Sequence, residues 1–218
     1  SGIDKIKIWL KKRRDLNRHP PAPHYWQIFA VVAANLVVLS FLVFDQAVGA
    51  ARQRDIFTRS LGRMITEFGS SGWILLATAM LFFSGLASWR LARSRKLGFR
   101  ALYMAQIGAY SFLSVALSGL LANLLKRIIG RARPGQFEDW GSFGFSAFSG
   151  SKFESFPSGH ATTVGAVFMA LILLLPRYRL AFMLLALWMG FSRVMVGAHY
   201  PSDVIAGLSF GAWFTLLL

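Results

Sequence analysis

Hydrophobic and polar positions segregate along this chain on the scale of whole helices. Four stretches carry no charged residue at all: 19–44, 68–89, 101–125 and 155–176. A helix needs roughly 20 predominantly apolar residues to cross a bilayer core of about 30 Å, so each stretch is predicted to span a membrane. A fifth, 180–199, is interrupted by Arg193 alone. A sixth, 204–218, holds 15 residues. At about 1.5 Å per residue that is too short to cross, and the sequence is expected to stop inside the bilayer. The pattern predicts an all-α polytopic membrane protein of six transmembrane helices, residues 25–218, without a soluble domain or an internal repeat.

The segments between the spans carry the charge. Residues 1–18 hold seven basic groups and two acids, with Ile3, Ile6, Trp9 and Leu10 interspersed. Residues 1–24 are therefore read as a basic cytoplasmic amphipathic segment lying on the membrane. Pro20, Pro21 and Pro23 end it, and Tyr25 and Trp26 suit the interface where the first span begins. That first span lacks a small-residue cleavage site and is expected to be retained. In the first loop, Arg52, Arg54, Arg59 and Arg63 alternate with apolar residues at helical spacing, which predicts an interfacial helix. With a cytoplasmic N-terminus the inner segments carry 14 basic groups and the outer ones 10, in keeping with the positive-inside tendency.

Composition narrows the class. The chain of 218 residues is 55% hydrophobic and only 15% charged, whereas soluble chains are about 25% charged; a large soluble helical protein is disfavoured. The net charge of +15 does not imply nucleic acid, because the basic residues flank apolar spans, where each gains about 1 kcal/mol from anionic headgroups. There is no cysteine, which removes disulfides, thiolate metal sites and a cysteine nucleophile.

Three clusters at span ends carry candidate chemistry: Lys126 to Pro134 (KRIIGRARP), Pro157 to His160 (PSGH) and Ser192 to Asp203 (SRVMVGAHYPSD). Counting spans puts all three on the outer side. Phosphoryl transfer is mostly positioning plus positive charge, and Lys126, Arg133 and Arg193 supply the charge. Arg193 is the most informative, because an arginine inside an apolar run costs about 2.5–3.5 kcal/mol by insertion scales. Lys126 on its own reads better as a snorkelling helix end. Ser158 caps the predicted fourth span, whose free N–H groups point toward an anion, and Gly159 lets the backbone come close. A histidine can form a covalent phosphoenzyme if its other nitrogen is held. His199 is assigned that role with Asp203 as its orienting carboxylate, and His160 that of general acid. The leading expectation is an enzyme acting on a phosphorylated lipid.

The spacings Lys-x6-Arg-Pro, Pro-Ser-Gly-His and Ser-Arg-x5-His-x3-Asp, in that order, resemble the type 2 phosphatidic acid phosphatase superfamily, which includes vanadium haloperoxidases and glucose-6-phosphatase. The resemblance covers about 80 residues directly, and the six-span layout extends it to nearly the whole chain. It implies a metal-independent phosphatase without a cofactor. It also implies that His199 is the nucleophile, Asp203 its partner and His160 the acid, with Lys126, Arg133, Ser158, Gly159 and Arg193 binding the phosphate and vanadate acting as inhibitor. Relatives with this layout dephosphorylate phosphatidylglycerophosphate, undecaprenyl diphosphate or lipid A in the bacterial envelope. The four arginines of the first outer loop favour a multiply anionic lipid such as lipid A, reached from the outer leaflet. The expected location is the bacterial inner membrane, with the site facing the periplasm. The aromatic-rich segment 135–156 is read as an apolar lid or interfacial loop. A membrane transporter and a haloperoxidase are the alternatives from other classes.

Overall fold

The computed structural model describes residues 25–51 and 56–218. The amphipathic segment 1–24 and the arginines Arg52 and Arg54 lie outside these. Among the described residues every regular element is helical, apart from a single backbone bridge between Arg131 and Phe145. The longer helices are α1 (Tyr25–Val43), α2 (Asp45–Ala50), α3 (Ile56–Glu67), α4 (Ser71–Arg90), α5 (Arg95–Ile129), α7 (Gly159–Leu174), α8 (Arg179–Met195) and α9 (Pro201–Leu217); α6 (Phe137–Trp140) is a single turn.

Four stretches are long and apolar enough to cross a membrane: Tyr25–Val43, Phe57–Arg90, Arg95–Ile129 and Pro176–Met195. Most of their surface faces outward and is apolar, as with Val31, Leu76, Leu120 and Leu184, because their solvent is lipid. The protein is an integral membrane protein on this count. α5 runs for 35 residues, well beyond the uncharged stretch 101–125, because the flanking Arg95, Lys96, Lys126 and Arg127 continue the helix outside the apolar layer. Ser94 caps its start by accepting from the Leu97 N–H at 3.3 Å. Gly130 ends it at φ +63°, packed so close to the Ser146 carbonyl that a side chain has no room, the left-handed cap that glycine supplies.

α7 and α9, with 16 and 17 residues, form the centre and bury a larger share of their own residues than the other long helices do. In lipid there is no hydrophobic drive between helices, so close packing depends on small residues. Gly165 abuts the Leu208 backbone, Gly207 the Ser158 carbonyl and Gly211 the Thr162 carbonyl, and α4 and α5 meet the same way at Gly85 and Gly108. Gly211→Ala is expected to cost about 1–3 kcal/mol through overpacking and to lower the unfolding temperature in detergent. Gly72→Ala, which meets nothing within 4 Å, should leave it unchanged; equal behaviour of the two would contradict this account.

The segment 135–156 folds back on the chain rather than hanging free. Ala132 N–H donates to Gly144 O at 2.9 Å, Arg133 N–H to Lys152 O at 2.9 Å and Ser155 N–H to Arg131 O at 3.1 Å. Phe137 covers Gly49, and Phe143 meets Phe41 edge-on at 4.7 Å. The expected lid is thus in large part a brace around residues 131–133, while Phe148 and Phe143 stay exposed.

Candidate active site

α5 and α8 end, and α7 and α9 begin, at one end of the bundle, so the three clusters meet there. Lys126 Nζ sits against Gly159, 3.3 Å from where a Cβ would lie. Arg193, Lys126, Arg133 and His199 all lie near enough to the His160 ring to act on it electrostatically. Ser158 caps α7 by accepting from the Ala161 N–H at 3.4 Å, and its own N–H donates to Asp203 O at 3.0 Å, which ties the start of α7 to the first turn of α9. All eight sequence-predicted residues therefore gather around one pocket: His199, His160, Asp203, Lys126, Arg133, Ser158, Gly159 and Arg193.

The two arginines are each anchored but retain free donors. Arg193 donates from Nη1 to Thr66 Oγ1 at 2.8 Å, and its buried Nε has no partner among the described residues. Arg133 donates from Nε to Ser151 O at 2.9 Å. An oxyanion between them would complete these donor sets, and a guanidinium fork suits phosphate oxygens.

His199 is buried, 3% exposed. Its Nδ1 lies 2.8 Å from the Ser155 carbonyl, whereas the nearest Asp203 oxygen is 3.7 Å away. A carbonyl only accepts, so Nδ1 carries the proton and Nε2 keeps its lone pair. The direct Asp203–His199 pairing read from the sequence is thus replaced by an indirect one. Asp203 Oδ2 accepts from the Ser155 hydroxyl at 2.6 Å and from the Tyr200 N–H at 2.9 Å, and Ser155 in turn holds His199. Burial pushes His199 below its ordinary value; the Asp203 carboxylate opposes that, and Arg133 and Arg193 add to it.

Behind Asp203 lies a cluster that the sequence did not announce. Arg131, 1% exposed, donates from Nη1 to Asp203 Oδ1 at 2.5 Å and to Ser202 Oγ at 2.7 Å, and from Nη2 to Asp45 Oδ2 at 2.7 Å. Its guanidinium is sandwiched between the Phe41 ring at 4.5 Å and the Tyr200 ring at 4.3 Å. Burial raises the Tyr200 phenol to about 12, so it stays neutral there. Asp45 also accepts from the Ser202 N–H at 3.1 Å. The available signal was an acid placed directly at the end of an uncharged span, facing a run of outer arginines.

Residues 107–218, which hold all three clusters, match the PAP2 superfamily. This chain belongs to the PAP2 superfamily. Two relatives named lipid A 1-phosphatase, from Rhizobium johnstonii and Rhizobium etli, are 56% and 55% identical over 89% of the chain and 80% and 84% of their own lengths. A solved PAP2-type phosphatidylglycerolphosphate phosphatase from Bacillus subtilis superposes with a TM-score of 0.57 at 25% identity, over 88% of this chain and 90% of that one. The PAP2 pocket described above accordingly belongs to a lipid phosphatase.

A cavity of about 460 Å³ opens from this PAP2 site between α4, α5 and α7. Lys126, Gly159 and His160 line its polar end, and Leu75, Val115 and Leu120 its apolar part.

Proposed function

We propose that this PAP2 protein removes a phosphate from lipid A through a covalent phosphohistidine, without a metal. The observation that carries the substrate is the pair of lipid A 1-phosphatase relatives, 56% and 55% identical over 89% of the chain. The outer loop adds to it. Gly62 of α3 packs on Met195 and Val196 at the end of α8, and Thr66 holds Arg193. Arg63 and Arg59, three and seven residues before Thr66, share its side of the helix and are exposed, where a second anionic group of the substrate can meet them.

In this reading α7 and α9 complete a six-span bundle, α3 lies at the interface, and the site faces the periplasm from the inner membrane. Lys126, Arg133, Arg193 and the N–H groups at the start of α7, from Ser158 and Gly159, hold the phosphate oxygens. His199 Nε2 attacks phosphorus, the bond to the lipid oxygen breaks, and His160 gives that oxygen a proton. Water then attacks the phosphohistidine, His160 takes the water's proton, and phosphate leaves. Vanadate occupies the same cations and inhibits.

Phosphate release from purified lipid A, undecaprenyl diphosphate and phosphatidylglycerophosphate, each with a chelator present, tests the proposal. Lipid A is expected to turn over fastest and to resist the chelator. Equal rates on all three, no release from lipid A, or loss of activity with the chelator would overturn it.

A pH profile adds a second check. Neutral His199 is the attacking form, and burial holds its pKa below the ordinary 6.5. The acid limb of kcat/KM should therefore lie below pH 6.5, because the ring stays neutral as pH falls through that value. Asp203→Asn removes the charge that opposes the depression and should move the residual limb lower still. An acid limb above 6.5 assigned to His199 would contradict the buried, neutral nucleophile.

A further inference from the structure

A second cavity, about 420 Å³, flanks the site on the side away from α4. It is a groove between α1 and α9 with almost entirely apolar walls, opened by Ala30 and Ala33 on one helix and Ala206 on the other. Its outer mouth is formed by Leu125, Phe156 and Pro157. Those residues immediately precede Lys126 and Ser158, so the mouth lies beside the phosphate pocket. Its inner end is closed by Phe29, Phe210 and Trp213, and Trp26 backs Trp213 with ring centroids 6.3 Å apart. The Trp213 indole Nε1 is buried there without a partner among the described residues.

The dimensions suit a hydrocarbon chain of one leaflet. Along α1 the groove runs from Val38 to Phe29, about 13 Å at the helical rise, roughly half of a bilayer core of about 30 Å. A chain descending from a phosphate at Ser158–His160 enters at the mouth and ends at the aromatic floor. Resting on the lipid phosphatase reading, we infer that this groove receives one acyl chain of the substrate and that Trp213 with Phe29 and Phe210 limits its length. Surrounding lipid is as apolar as the groove, so the groove selects by shape and adds little affinity.

The intact protein can be photolabelled with a phosphatidic acid analogue that carries a diazirine at the end of an acyl chain. Crosslinks are expected on Phe29, Phe210 and Trp213 and should disappear when vanadate occupies the phosphate pocket. Crosslinks on Leu75, Val115 and Leu120 would give the chain to the other cavity, and groove crosslinks that persist with vanadate would mark ordinary membrane lipid; either result overturns the inference. Ala33→Phe, which narrows the groove, should reduce turnover of dipalmitoyl phosphatidic acid roughly tenfold and leave that of dioctanoyl phosphatidic acid unchanged. An equal loss on both would also defeat it. If the unaltered protein released no phosphate from any lipid, the phosphatase reading would fall, while the crosslink pattern would still report on the groove.

Discussion

Replacing His199 with alanine is expected to abolish phosphate release, by about ten-thousand-fold or more, while the protein remains folded in detergent. The reasoning is geometric. With Nδ1–H committed to the Ser155 carbonyl at 2.8 Å, Nε2 is the one atom of that ring free to form a bond to phosphorus. A smaller ring-free side chain leaves Lys126, Arg133 and Arg193 in place, so phosphate and vanadate should still bind. His160→Ala should behave differently. Its proton is needed by a poor leaving group, so lipid turnover falls by roughly 10²–10⁴-fold, while an ester with an acidic leaving group such as p-nitrophenol recovers much of that loss. The two variants separate in one comparison of the lipid and p-nitrophenyl phosphate. If His199→Ala kept appreciable lipid turnover, or if both variants lost the two substrates equally, the division of roles would be wrong. Protein incubated with substrate and quenched in alkaline detergent, which preserves the acid-labile P–N bond, should also carry phosphate in the wild type and in His160→Ala at most transiently, and none in His199→Ala.

The residues given these proposed roles were conspicuous in the sequence because charge inside apolar runs stands out. Arg193 interrupts a span, His160 follows a helix cap, and His199 precedes an acid by four residues; each placement is explained by a shared pocket and by little else. The same logic found the four long apolar helices, although the charged ends of α5 carry the helix past its uncharged stretch, where length alone gives no signal. What the sequence concealed depends on convergence between distant segments. Ser155 was merely the start of an uncharged run, yet its carbonyl and hydroxyl connect His199 to Asp203. The spacing of His199 and Asp203 invited a direct bond, but the first turn of α9 directs the carboxylate to the Tyr200 N–H, where it serves as a cap. Arg131 was counted with the outer basic residues, since a short basic run next to glycine and proline reads as solvated loop. Its burial follows from Phe41 and Tyr200 closing over it from opposite sides, and neither lies near it in the chain.

The second large effect concerns that arginine. Arg131→Met is expected to destabilise the protein by about 3–5 kcal/mol, the cost of removing one partner from a buried ion cluster. It leaves Asp45 and Asp203, both 0% exposed, facing a gap without a counter-charge. Asp45→Asn should be milder, because Arg131 keeps Asp203, Ser202 and the Ser142 carbonyl. The cluster does more than hold the fold, since Asp203 reaches His199 through Ser155, and any reorientation of the carboxylate is passed to the nucleophile. Arg131→Met should accordingly lower kcat more than it raises KM, because the phosphate-binding cations are untouched. The acid limb of its pH profile should also shift, which a loss of folded protein alone would not produce. The double variant Arg131→Met/Asp45→Asn removes one of the two stranded charges and should recover part of the stability. Unfolding temperatures and steady-state kinetics on the four proteins settle the matter. Additive losses in the double variant, or an unchanged kcat at the fraction folded, would show that Asp45 and Arg131 act independently of the catalytic histidine.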